Sequence, residues 1–238
     1  MKFDPLRVLI TLALLTPILL AFGQETFPER VDQMYGLDKD LVNGIQYYNR
    51  HLRSQGHPYF LSDRFSDGSV SIKGKLYQAV SLKYDLFQQD LELEYEAFTG
   101  GKNRLILIQN HVDSFSLGDY KFWKREIGDL DPAFYQVIAL PQFRCLIYWK
   151  KNMVPLSNST IYTQEFTKSR KTFWLESRKT VRPFHNRRSF VAFFPEDKQK
   201  EIRKIFRQQS FSFRRSQPAD ILRAMQAVSD LLEGGGAP

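Results

Sequence analysis

Val80-Ser81-Leu82-Lys83-Tyr84-Asp85-Leu86 and, after the short polar link 87–90, Leu91-Glu92-Leu93-Glu94-Tyr95-Glu96 carry the clearest pattern in the chain. Apolar and polar residues alternate through both runs. Successive side chains of a strand point to opposite faces, so each run has one apolar face and one charged face. The reading is two antiparallel strands of a sheet wet on one side, joined by a hairpin. Thr99, Gly100, Gly101 and Lys102 punctuate the step to a third strand at 104–109.

Outward from this pair, the period of two begins at Ser69, and further strands are expected at 112–117, 133–139, 143–149, 159–166, 172–176 and 180–184. Short links between them predict a meander. Before residue 69, Leu37, Leu41, Ile45, Tyr48 and Leu52 fall near helical spacing, but Gly44 interrupts them and Ser54, Gly56 and Pro58 break the segment. At Phe194 the period turns helical. Pro195 is expected in the first turn, Glu196 and Asp197 at the positive helix end, Lys204 and Arg207 at the negative one, and Ile202, Ile205 and Phe206 in the apolar stripe. A second helix is expected from Ser216 as N-cap, with Pro218 and Asp220 in its first turn and Leu222, Met225, Val228 and Leu232 on one side.

The expected fold class is mainly β, a β-rich α+β protein: an antiparallel, curved meander sheet or half-barrel with two C-terminal helices. Its divisions are a signal peptide at 1–23, an irregular N-terminal region at 24–68, the antiparallel β domain at 69–194, the helices packing on it at 195–233 and a flexible tail at 234–238. The signal peptide rests on Lys2 and Arg7, the apolar run from Leu6 to Phe22, and the small residues Ala21 and Gly23 before Gln24. The expected address is therefore export, to the periplasm or cell envelope. Cys145 is the chain's single cysteine, so it makes no internal disulfide, and its apolar surroundings suit a buried thiol.

Charge is unevenly spread. From Arg144 onward there are 19 Lys and Arg against 8 Asp and Glu, whereas Gln24 to Phe143 holds 13 against 17. Lys198, Lys200, Arg203, Lys204, Arg207, Arg214 and Arg215 form the densest basic run and are the candidate residues for binding an anionic surface. Two other readings stay open: solvated faces kept charged for solubility, or docking of the basic part on the acidic strand faces at Glu92, Glu94 and Glu96. Export argues against nucleic acid as the partner and leaves an envelope protein, a glycan or an anionic lipid surface.

Markers of chemistry are sparse. HExxH, CxxC, GxSxG and a phosphate-binding glycine loop are all absent from the sequence. His111 and Asp113 are two apart, on one face of a strand, and a third ligand from His51, His57 or His185 would complete a metal site for a hydrolase. Asp63, Asp67, Asp129 and Asp131 suit calcium or acid–base duty, or simply turns. No catalytic, cofactor or metal residue is assigned.

The motifs Leu41-Val42-Asn43-Gly44, Gly56-His57-Pro58-Tyr59, the run Leu82 to Leu91, Val112-Asp113-Ser114-Phe115, Arg187-Arg188-Ser189-Phe190 and Phe194-Pro195-Glu196-Asp197-Lys198 resemble an uncharacterised family of exported, β-rich envelope proteins of Bacteroidota type. The resemblance covers most of the chain after residue 24. It implies an exported antiparallel β protein with C-terminal helices, in the manner of an envelope accessory protein, and brings no catalytic residue with it. The expected function is thus a non-enzymatic envelope protein that binds a partner protein or surface component. The alternative is a periplasmic carrier of lipid or another apolar ligand, for which the half-barrel and its helices would enclose a cavity.

Overall fold

Leu82 stands opposite Leu93 and Lys83 opposite Glu92 across an antiparallel pair, as the alternation requires. The computed structural model describes residues 38–97, 100–177 and 180–234. The expected signal peptide, residues 24–37, Thr99, Arg178, Lys179 and residues 235–238 of the expected tail lie outside the described residues. The chain divides after Lys39, and the fold below is that of the unit beginning at Asp40.

In chain order the strands are β1 (Gly44–Gln46), β2 (Ser54–Gln55), β3 (Ser66–Ile72), β4 (Lys75–Tyr84), β5 (Leu91–Glu96), β6 (Lys102–Leu107), β7 (Val112–Leu117), β8 (Tyr120–Ile127), β9 (Leu130–Ala139), β10 (Arg144–Lys150), β11 (Met153–Pro155), β12 (Gln164–Phe166), β13 (Arg170–Ser177) and β14 (Thr180–Phe184). Eleven of them form one antiparallel sheet in the order β1-β6-β5-β4-β3-β7-β8-β9-β10-β13-β14, with β1 and β14 as open edges. The other three form a small sheet, β11-β12-β2. The helices among the described residues are α1 (Arg187–Val191), α2 (Glu196–Gln208) and α3 (Pro218–Gly234).

The order is two meanders rather than one. β3 to β6 run one way from β3, and β7 to β10 run the other, so consecutive strands β6 and β7 are four positions apart. In a flat sheet that separation is about 19 Å. The link between them is only residues 108–111, part of it a 3-10 turn, and its extended reach is at most about 17 Å. The sheet must therefore be strongly coiled, which is the curvature expected from the alternation. Register shifts at Gly68/Val70 and Ser71/Ile72 help to bend it. Gly68 is fixed by this approach, because a Cβ there would overlap the Ser116 carbonyl oxygen.

One face of the sheet carries the main core. Leu82, Tyr84, Leu93, Phe122, Ile147 and Phe184 lie on it, against Phe190 of α1, Ile202 and Phe206 of α2, and Ile221, Met225 and Val228 of α3. Cys145 belongs to this core, and burial raises its thiol well above the ordinary range. The opposite face is not wet throughout. A second cluster of Ile127, Tyr135, Val137, Leu146 and Trp174 occupies it at β8–β10 and β13. At β4–β6 the segment 47–65 crosses it, so that Lys83 and Glu92 are buried. This corrects the expectation of a charged, solvated face, and the reason is tertiary: the alternation places Lys83 and Glu92 on one face but says nothing of what lies above them.

Several boundaries also differ. β3 begins at Ser66, β8 was not expected, and the expected strand at 159–166 is reduced to Gln164–Phe166. Pro195 precedes α2 as its N-cap. The Ser216 hydroxyl accepts from Ser212 N instead of capping α3, while Asp220 Oδ2 accepts from Gln217 N. α1 is an addition, held by a reciprocal capping box between Asn186 and Ser189.

Candidate functional site

α2 is built as an amphipathic helix whose inner side is fixed by Ile202 and Phe206, both fully buried, and by the partly buried Ile205. At about 100° per residue, Lys200, Arg203, Lys204 and Arg207 share the arc facing away from them. All four are exposed, and no carboxylate of the described residues is within ion-pair distance. Arg203 donates to Gln199 Oε1 at 2.8 Å. Arg214 and Arg215 extend the basic surface into the turn that follows, also exposed. That turn is pinned from below: Lys171 of β13 donates from Nζ to the Ser216 carbonyl and lies 5.1 Å from the centre of the Trp149 ring. Burial lowers the Lys171 pKa to about 8, against a smaller opposing pull from Asp220. The structure thus sets four of the seven expected cations on one arc of α2, with Arg214 and Arg215 exposed in the turn that follows. Lys198 is set apart, half-buried on the side of α2 that faces β14 and α3, where Arg182 and Leu232 line the same groove.

The acidic strand faces are not the partner of this surface. Glu94 pairs with Lys102 and Arg104 of the neighbouring strand, both at 2.9 Å, and Glu92 pairs with Lys83. The docking of the basic part on Glu92 and Glu94 is therefore not what the chain does.

A second cluster of functional chemistry lies under the 47–65 segment. Lys83 Nζ is 3.0 Å from Asp63 Oδ1 and 3.6 Å from Glu92 Oε2, with the rings of Tyr59 and Phe65 at 3.7 and 4.7 Å. Tyr59 shares a hydrogen bond of 3.1 Å with Tyr47. Glu92 is only 2 % exposed, and its Oε2 accepts no hydrogen bond among the described residues. Burial raises its carboxyl to about 7, against the opposing pull of Lys83 and the Tyr59 phenol. Burial likewise lowers His57, with Lys151 adding to the effect, and raises Tyr59 far above the ordinary phenol range. The space beside Tyr47, Tyr59, Asp85, Asp90 and Glu92 is about 20 Å³, room for about one water. The cluster is closed to any larger ligand.

The expected metal-site residues are dispersed. Asp113 accepts from Ser71 Oγ at 3.1 Å and Gly74 N at 2.7 Å, which ties it to the β3–β4 turn. His51 sits edge-on to Phe87 and Phe166, His57 Nδ1 accepts from Tyr59 N, and His185 is exposed ahead of α1. Among the described residues no three His, Cys, Asp or Glu side chains are grouped closely enough to hold a metal ion. Asp63 is spent on Lys83, while Asp129 and Asp131 are exposed at the β8–β9 turn.

The space where a carrier cavity was expected, between sheet and helices, is filled with rings: Phe173, Phe184, Phe190, Phe206, Phe211 and Phe213 pack with centroids 4.7 to 5.8 Å apart. Open grooves lie at its margins instead. One, of about 550 Å³, runs between α3 and the β7–β8 turn. The other, of about 780 Å³, lies between α2, the C-terminal end of α3 and the β13–β14 edge.

No family model matches the chain, and no curated protein or solved structure matches it. Among the described residues no helix is long and apolar enough to cross a membrane. Sequence reasoning missed Lys83 with Glu92 and Arg182 with the groove. The first pair was visible only as alternation, and the second joins residues far apart in the chain.

Proposed function

We propose that the protein is an exported, non-enzymatic envelope protein that docks peripherally on an anionic lipid surface through α2 and the turn after it. The observation that supports this is the outward arc of Lys200, Arg203, Lys204 and Arg207, with Arg214 and Arg215 exposed in the turn that follows; these cations outnumber Glu196, the acid that shares the arc, and form no ion pair among the described residues. Like charges gathered on one helix face repel one another and add little to folding, whereas near an anionic bilayer each contributes on the order of 1 kcal/mol. The attraction is screened over about 8 Å at physiological salt, so binding must fall as salt rises.

Co-sedimentation of the purified chain with phosphatidylglycerol-containing vesicles and with neutral phosphatidylcholine vesicles tests the reading. Binding is expected to the first only, weakening with added salt, and to be lost in Lys200→Glu/Lys204→Glu/Arg207→Glu. Equal binding to neutral vesicles, or binding that survives the reversal, overturns it.

A further inference from the structure

The 780 Å³ groove is unlike the basic arc in having an apolar floor. Phe143, Leu175, Phe193, Phe194 and Leu232 line it, drawn from the β9–β10 turn, β13, the α1–α2 junction and α3. Phe143, Leu175 and Phe194 are buried parts of the core, so the floor is rigid, while Phe193 and Leu232 are partly exposed walls. Its volume falls in the range of small-molecule sites.

Its rim is cationic. Arg182, exposed on the edge strand β14, and Lys198, in the first turn of α2, both line it, and neither has an ion-pair partner among the described residues. α2 also begins here without a side-chain cap, Pro195 being unable to supply one, so backbone N–H groups of its first turn are left open, with Glu196 and Asp197 set against the positive helix end. The acid on the rim is Asp197, which is exposed and opposes the two cations only in part. A wholly apolar ligand would leave these charges unused, and a compact anion would leave the phenyl floor uncovered.

We propose that this groove is a binding site for a single-chain anionic amphiphile, a long-chain fatty acid, with its alkyl chain along Phe143, Phe193, Phe194 and Leu232 and its carboxylate between Arg182 and Lys198. The site is separate from the outward arc of α2. It places Lys198, the one cation that turns away from that arc, in a role of its own. It also explains why the β14 edge and the α1–α2 junction meet around open space rather than closing on each other.

The test uses the full chain and 11-(dansylamino)undecanoic acid held below its micelle concentration, in the absence of vesicles. A saturable fluorescence rise is expected, reversed by palmitate and not by hexadecanol. Arg182→Glu and Lys198→Glu should each weaken binding roughly tenfold through loss of a charged hydrogen bond, Asp197→Asn should tighten it, and Leu232→Lys should abolish it. These positions are exposed or half-exposed, so circular dichroism should show the fold retained. The triple reversal on Lys200, Lys204 and Arg207 should leave probe binding intact, which separates this site from vesicle docking. Absence of saturable binding, equal displacement by hexadecanol, or binding unchanged in Arg182→Glu and Leu232→Lys overturns the proposal.

Discussion

Beneath the 47–65 segment, Lys83 and Glu92 are buried side by side, whereas on α2 Lys200, Arg203, Lys204 and Arg207 stand in water and form no ion pair among the described residues. The two regions use charge for different ends. In the first, strand register sets cation opposite anion and the covering segment removes both from solvent, so each depends on the other. In the second, like charges share one helix face and depend on nothing in the fold. Substitutions in the first region should therefore act on folding and those in the second on binding, and the comparison fails if either effect appears in the wrong place.

The largest expected effect is that of Lys83→Met. It leaves Glu92 without its buried counter-ion, and breaking such a pair destabilises by about 3 to 5 kcal/mol. Because Glu92 already holds its proton up to about pH 7, it can escape the unpaired charge by staying neutral. Urea unfolding should show the full loss at pH 8 and much less at pH 5.5. Glu92→Leu added to Lys83→Met should recover most of it. A loss that is equal at both pH values would mean the pair is solvated in practice.

The next effect is a slope with pH. Glu92 keeps its proton in the folded chain up to about pH 7, against an ordinary value of 4.5. Between those values the folded state binds more protons than the unfolded one, so this group's contribution to stability falls as pH rises through that window and is flat above it. The size is on the order of 3 kcal/mol. Asp85 and Asp90, raised by burial, act in the same direction at the acidic end. His57, lowered by burial, acts oppositely and gains as pH rises through the range below 6.5. In thermal melts from pH 4.5 to 7, Glu92→Gln should remove most of the fall seen in the native chain. Parallel curves for the two proteins would contradict the burial of Glu92.

How much of this was legible in the sequence differs by element. The β4–β5 pair, β7 and both long helices follow from alternation or helical spacing, because each has one face against the main core and that face dictates the period, whereas β10 and β13 read as short apolar runs because both of their faces are covered. β8 escaped because charged residues fall on both of its faces, Lys124 on that of Phe122 and Lys121 and Arg125 on the other, so no period of two shows. The 47–65 segment escaped for a different reason. It is irregular, and its role comes from lying over Lys83 and Glu92, a contact with no periodic signature. For the basic site, composition pointed to the residues, and helical geometry sorted Lys198 from the rest. Arg182 could not be paired with Lys198 before β14 and α2 were seen to border one groove.

The smallest effect has the opposite sign to the first and discriminates most sharply between the two regions. Arg203 lies three residues from Lys200 and four from Arg207, so it repels a neighbour on each side along the exposed face of α2. Its contact with Gln199 is an exposed hydrogen bond, and an exposed side-chain bond of this kind adds little. Each like-charge pair at this spacing opposes the helix by about 0.2 to 0.5 kcal/mol. Arg203→Gln relieves two of them and loses one weak bond, so denaturation should show stability unchanged or raised by a few tenths of a kcal/mol. Vesicle binding should meanwhile weaken about fivefold, the share of one basic residue near an anionic surface. A gain in stability with a loss of binding is the signature of a charge kept for a partner. If Arg203→Gln instead destabilises the fold by more than about 1 kcal/mol, the residue serves the helix, and the division between the two regions does not hold.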